Sequence, residues 1–420
     1  MNLYRTFALT LVVIILASCQ KSTILKPTVS EQPPPLPSKI QEVLQTTTFT
    51  PPATFMPTVS LQLLPKNILQ YKCVDIAPNP PRTANLSGQL VLWGPQSFFF
   101  DFENRTFRVI PNKRGDFTVS PDGTWLAYYE VSASSPTGMW LTIENAEGQQ
   151  KRVPMQPDWD WGIIMRWLDN RRFAYNIWDR NSITPIYPVV IIDPFTGVTQ
   201  ELASDYPNLK PKVLGMAGTP HFIYSTVVYD SSLDLVIYPE TNSEGDFVVL
   251  WDRQNQKALA KLRDLNNFSH TPLWLPDGSQ FVVAIRNTWE NDEWFSINRE
   301  GEIHQLTQFG NFLTHTDIES SSISPNGRYL AFWMQVEPSS FSGYNLAILD
   351  LETHFVTDYC IPGSSGATGE PIWSPDSQYI VIASDEVTNT HQVVLIAPFD
   401  GWAARIADDF IPRGWMKTSP

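Results

Sequence analysis

From about residue 86 the chain alternates short apolar runs with tight polar turns. Five stretches repeat one figure, an apolar approach, a turn and an apolar return: Phe117 to Tyr129, Met165 to Tyr175, Leu273 to Val283, Ile323 to Phe332 and Ile372 to Ile382. Their turns contain Ser120-Pro-Asp-Gly123, Asp169-Asn170, Pro276-Asp-Gly278, Ser324-Pro-Asn-Gly327 and Ser374-Pro-Asp-Ser377. Proline presets the turn, and Asp, Asn or Gly accepts its unusual dihedrals, so each figure predicts a hairpin between two strands. A sixth, degenerate copy is expected around Met216 to Val227, with Gly218-Thr-Pro220 as its turn.

A second hairpin follows each of these. Its turns fall at Glu103-Asn-Arg105, Asn145-Ala-Glu-Gly148, Asp193-Pro-Phe-Thr-Gly197, Asp252-Arg-Gln-Asn255, Asn298-Arg-Glu-Gly301, Asp350-Leu-Glu-Thr353 and Pro398-Phe-Asp-Gly401, at intervals of about 43 to 59 residues. Four short strands per unit of roughly 40 to 50 residues predict an all-β β-propeller. Seven second hairpins against six first ones are explained by the chain ends. Phe410 to Met416 supplies one innermost strand, and Gly88 to Trp93 with the Phe98 to Ile110 hairpin supplies the other three of the same blade. Joining both termini in one sheet protects edges that would otherwise pair with other chains. Seven four-stranded blades are expected, with six as the alternative.

The Ser-Pro-Asp-Gly figures resemble the WD-like β-propeller repeat of the TolB type, also found in the propeller domain of dipeptidyl-peptidase-like proteins. The resemblance spans about residues 86 to 418, with Asp169-Asn170, Asn326 and Ser377 as departures at turn positions and an uncertain register at the degenerate copy. It implies fold, since propellers host both enzymes and adaptors. The peptidase relatives carry a hydrolase domain after the propeller, and none is expected before Pro420.

Ahead of this repeat, Arg5 precedes an apolar run from Phe7 to Ala17, shorter than the roughly 20 residues that a 30 Å hydrocarbon core requires. The run predicts a signal peptide over residues 1–18. Leu16-Ala-Ser-Cys19 resembles the lipobox of bacterial lipoproteins, which implies cleavage before Cys19, acylation of its thiol with chains of the palmitate class, and a membrane anchor. The alternative is an ordinary signal with a chance cysteine. Two or more chains anchor stably where one does not. Residues 19–66 then form a linker: nine prolines stand between Gln20 and Pro65, including Pro33-Pro34-Pro35 and Pro51-Pro52. Proline favours extended polyproline II, so the segment predicts a semi-stiff spacer reaching about 35 to 40 Å or more. Residues 67–86 are a lead-in, and 87–418 are the propeller.

Composition adds a bound on partners. With 42 % hydrophobic residues the chain can bury a large core, and its net charge of −14, or −15 once Arg5 leaves with the signal, argues against nucleic acid or anionic head groups. Beyond Cys19 the cysteines are Cys73 and Cys360, which an oxidising exterior permits to pair; two separate buried thiols are the alternative. The expected location is therefore the extracytoplasmic side of the cell membrane, or the outer membrane or periplasm where two membranes exist.

Candidate chemistry is sparse. His221, His270, His304, His315, His354 and His391 show no metal-ligand spacing, and no Gly-x-Ser-x-Gly elbow or phosphate loop occurs. Asp158-Trp-Asp160 and Asp230 to Asp234 carry carboxylates suited to a hard cation but match no defined calcium loop. Trp167, Trp274 and Trp373 are expected to fill space between blades. The loops that topology gathers on one face are more telling: Asp158-Trp159-Asp160-Trp161, Trp178-Asp179, Tyr229-Asp230, Trp289-Glu-Asn-Asp292-Glu-Trp294 and Ser384-Asp-Glu386 alternate acid with aromatic. Such a face suits a basic protein segment or a sugar stacked on rings. A monomeric, non-catalytic protein- or glycan-binding scaffold with no cofactor is the first expectation. A hydrolase, lactonase or lyase with a metal or acid site in the central channel is the alternative.

Overall fold

The computed structural model describes residues 69–81, 84–110, 117–155, 165–176, 189–202, 227–265, 271–286, 290–336, 343–363, 369–384 and 391–418. They form seven antiparallel four-stranded sheets, the blades of a β-propeller. From the innermost strand outward, blade 1 is Ile411–Met416, Gln89–Trp93, Phe98–Asp101 and Thr106–Val109. Blade 2 is Thr118–Val119, Trp125–Val131, Met139–Asn145 and Gln150–Pro154; blade 3 is Met165–Trp167, Phe173–Asn176, Val189–Asp193 and Val198–Leu202. Blade 4 is Val228–Tyr229, Leu235–Asn242, Gly245–Asp252 and Lys257–Arg263; blade 5 is Leu273–Trp274, Gln280–Arg286, Asp292–Asn298 and Ile303–Gln305. Blade 6 is Thr316–Ile323, Tyr329–Val336, Tyr344–Asp350 and Val356–Gly363; blade 7 is Ile372–Trp373, Ile380–Ser384, Gln392–Ala397 and Trp402–Asp408. Among the described residues no helix is long and apolar enough to cross a membrane.

The two middle strands of a blade are covered on both faces, so their sequences are continuously apolar rather than alternating. Phe281 to Ile285 and Val393 to Ala397 are buried at every position, whereas Thr106 to Val109 on an outer edge are all exposed. Side chains from the two faces fill seven separate clusters, one for each contact between neighbouring blades. Blade 1 meets blade 2 through Val91, Phe99, Leu126 and Tyr128. Blade 7 meets blade 1 through Leu90, Leu92, Val381 and Trp415, which closes the circle. The closing strand is clamped by packing: Gly414 leaves no room for a Cβ, which would lie 2.1 Å from Val119 Cγ2 of blade 2.

The motif turns are held by their own side chains. In blade 2 the Ser120 hydroxyl donates to Asp122 Oδ1 and accepts the Trp125 N–H, and Gly123 takes φ +75°. Blades 6 and 7 repeat this with Ser324 and Asn326, and with Ser374 and Asp376. The departures from the motif have their own tasks. Asn170 Oδ1 accepts the Asp122 N–H of blade 2, and Ser377 Oγ accepts the Asn326 N–H of blade 6, so each ties its turn to that of the preceding blade.

Blade 4 corrects the expected register. Its innermost hairpin turns at 230–234 rather than at Gly218-Thr-Pro220; residues 216–226 lie outside the described residues. The motif is present there with its chemistry exchanged. Asp230 stands where blades 2, 6 and 7 have serine, accepting the Leu235 N–H on Oδ1 and the Ser232 hydroxyl on Oδ2. Leu233 occupies the glycine position at φ +65°, a conformation disfavoured for a branched side chain.

The lead-in is part of two sheets. Leu69–Tyr71 adds a parallel fifth strand to the outer edge of blade 6 against Val356 to Asp358, and Ile76–Ala77 does the same on blade 7 against Ala403 and Ala404. Cys73, between these short strands, is disulfide-bonded to Cys360 of blade 6 across a sequence separation of 287.

Candidate recognition face

In blades 2 to 7 each innermost strand enters from the loops that join blades and leaves through its motif turn, so the motif turns share one face of the ring. The loops between blades, and those between second and third strands, share the other. Asp158, Trp159, Asp160, Trp161, Trp178, Asp179, Trp289, Asp385 and Glu386 belong to loops outside the described residues.

Two residues expected on that face are interior instead. Trp294 is 1 % exposed and Asp292 0 %. Both belong to the third strand of blade 5, where Trp294 fills the gap to blade 6 with its ring centroid 5.4 Å from that of Phe332. Alternation along a strand that is buried on both faces leaves no outward position for either. Tyr229 and Asp230 are likewise displaced: they form the motif turn of blade 4, on the opposite face, with Tyr229 buried against blade 3. Asp230 accepts a bond from Arg299 Nη2 at 2.8 Å, and Asp234 accepts one from Gln254, so the two acids serve the turn. Trp167, Trp274 and Trp373 pack where blades meet. Among the described residues no three His, Cys, Asp or Glu side chains gather as metal ligands.

What the described part of the loop face carries is a polar network joining blades 5 and 6. The Arg286 fork takes both oxygens of Asp292, at 2.8 and 3.0 Å, and reaches Asp317 Oδ1 at 2.7 Å. Burial opposes the Arg286 charge, but its bonds to Asp292 and Asp317 outweigh that and hold its pKa up. The Tyr344 hydroxyl lies 2.7 Å from Asp317 Oδ2 and 3.0 Å from Glu319 Oε1. Burial first, and then these carboxylates, push the phenol pKa up, so it stays a donor. One phenolic proton serves two carboxylates there, which leaves acceptor capacity on partly exposed oxygens. Behind them Glu293 is buried, its pKa raised by desolvation although Thr307 and the Gly310 N–H donate to it. The network fixes the edge of the face and offers acceptors to basic or hydroxylated groups.

No family model and no curated protein matches the chain. Solved structures of similar shape include TolB from Acinetobacter baumannii, 15 % identical at a TM-score of 0.43, covering 77 % of this chain and 79 % of that one. The Cps50 (Swd1) β-propeller domain of Myceliophteria thermophila is 13 % identical at a TM-score of 0.44, covering 75 % and 93 %. An oligogalacturonate lyase in complex with manganese is 14 % identical at a TM-score of 0.48, covering 76 % and 86 %. The likeness is one of fold.

Proposed function

We propose that the chain is an extracytoplasmic lipoprotein acylated at Cys19, whose ring is a monomeric, non-catalytic scaffold binding an envelope or extracellular protein, or a glycan, on its loop face. The observation that carries this reading is the Cys73–Cys360 bond. Disulfides persist in oxidising compartments, on the side of the membrane to which a signal cleaved before Cys19 delivers a chain. The acceptors around Asp317 and Glu319, together with the acid–aromatic alternation at Asp158 to Trp161 and at Trp289, supply the groups that a basic segment or a sugar ring would contact. The lipid is the membrane contact.

Two measurements test the reading. Palmitate labelling is expected in the membrane fraction for wild type and in neither fraction for Cys19→Ala; a labelled variant would overturn the anchor. In a pull-down from the native envelope, Trp159→Ala with Trp161→Ala and Trp289→Ala is expected to recover fewer partners than wild type, and equal recovery counts against this face.

A further inference from the structure

Three charged side chains stand on or just ahead of innermost strands, which line the centre of the ring, without an ion pair among the described residues. Arg166 stands on the innermost strand of blade 3, Arg413 on that of blade 1, and Glu370 two residues before that of blade 7. Arg166 Nη2 donates to Thr271 Oγ1 at 3.2 Å, just ahead of the innermost strand of blade 5. Blades 3 and 5 are not neighbours in the ring, so this bond passes across the channel in front of blade 4. Arg413 occupies a bulge: Val91 pairs with Gly414 and Leu92 with Pro412, leaving Arg413 opposite no residue. Bulges re-aim side chains in this way, often beside binding sites. Its guanidinium lies 5.3 Å from the Trp93 ring centroid and 3.6 Å from where a Cβ on Gly369, the neighbour of Glu370, would stand. Glu370 is exposed to solvent. All three sit toward the loop-face end, where innermost strands begin.

The charges feel one another without meeting. Desolvation lowers the Arg166 pKa and Glu370 opposes it; desolvation raises the Glu370 pKa, and Arg166 and Arg413 oppose that. In the Arg286 network the partners win over desolvation, whereas here they do not. Two guanidinium forks against one carboxylate, inside a chain of net charge −14, are an arrangement that a bound anion would complete.

We propose that the channel mouth binds a small carboxylate ligand that also carries a hydrogen-bond donor, the ligand's carboxylate bridging Arg166 and Arg413 and its hydroxyl or ammonium group reaching Glu370. This site is separate from the loops on which the scaffold reading rests, and each can fail without the other. Hydroxy acids, amino acids and acidic sugars share the required chemistry.

Calorimetric titration of the full-length protein in detergent, with glucuronate, glycine, acetate and glucose as probes, tests it. Saturable binding of glucuronate or glycine is expected, weaker binding of acetate, and none of glucose. Arg413→Gln should weaken binding about tenfold, as loss of one charge-assisted contact does. Arg413→Lys, which keeps the charge but loses the fork, should weaken it less and guards against a misfolded variant. Glu370→Gln should remove the advantage of glucuronate and glycine over acetate. Absence of saturable binding for every carboxylate up to about 10 mM, beyond the millimolar scale of a weak specific site, would overturn the proposal. So would unchanged binding in a folded Arg166→Gln, Arg413→Gln double variant.

Discussion

The turn of blade 2 and the turn of blade 4 have the same shape and are held by opposite means. In blade 2 a hydroxyl and a carboxylate two residues apart close the turn on themselves, and glycine takes the left-handed position. In blade 4 the carboxylate comes first, the hydroxyl second, and leucine takes the left-handed position. A carboxylate at the buried first position brings a charge that the turn cannot satisfy alone. Three arginines attend it: Arg299 of blade 5 bonds Asp230, Arg253 of blade 4 bonds the Leu233 carbonyl at 2.6 Å, and Arg172 of blade 3 bonds the Ser231 carbonyl. A local hydrogen-bond pattern can thus be conserved in geometry while its chemistry migrates to neighbouring blades.

The sharpest way to break this contrast is Arg299→Leu. It removes the ion partner of Asp230, whose side chain is 1 % exposed, and is expected to destabilise by about 2–3 kcal/mol. Arg328→Leu, an arginine that is 44 % exposed and pairs with Asp350 at 2.9 Å and with the exposed Glu352 at 3.3 Å, should cost about 1 kcal/mol; urea denaturation midpoints compare the two. Next is Ser374→Ala in blade 7, which takes the acceptor from the buried Tyr379 N–H and should cost about 1–2 kcal/mol in the same assay. Smaller still is Leu233→Gly. Relief of the left-handed leucine and loss of its packing between blades 3 and 4 are of similar size, near 1 kcal/mol each, so a net change within about 0.5 kcal/mol is expected.

The smallest effect is one of pH. The Ser279 backbone N–H, and then its hydroxyl, hold the Asp277 carboxyl below the usual range. A depressed folded pKa gives stability that is present above the unfolded pKa and is lost as the pH falls through the folded one. Titration of Asp277 followed by NMR should therefore show a low midpoint that returns toward the ordinary carboxylate value in Ser279→Ala.

How far the sequence foretells this molecule follows from where each instruction lies. The hairpins around Ser120, Pro276, Ser324 and Ser374 are legible because proline is followed at once by Asp or Asn and then by Gly or Ser. The closing strand from Phe410 is legible because counting hairpins leaves a place for it. Blade 4 is hidden because its turn depends on Arg172 and Arg299, which lie 59 and 67 residues from the groups they hold near Ser231 and Ser232. The edge strands at Leu69–Tyr71 and Ile76–Ala77 are hidden for a different reason: parallel pairing with a sheet made some 280 or more residues later leaves no local periodicity. Asp292 and Trp294 mislead because an acid beside an aromatic reads as surface until the Arg286 fork is known. Arg166, Glu370 and Arg413 have no shared spacing at all, and closure of the ring alone brings them to one channel.

The Cys73–Cys360 bond gives the chain the topology of a hoop. Between the two sulfurs the backbone travels through the second to fourth strands of blade 1 and on through blades 2 to 6, and the bond returns it to its start along the edges of blades 6 and 7. Blade 7 and the innermost strand of blade 1 follow Cys360, outside this covalent circuit. They are the keystone of the ring: the part of the chain that packing alone, and no covalent crosslink, fastens in place.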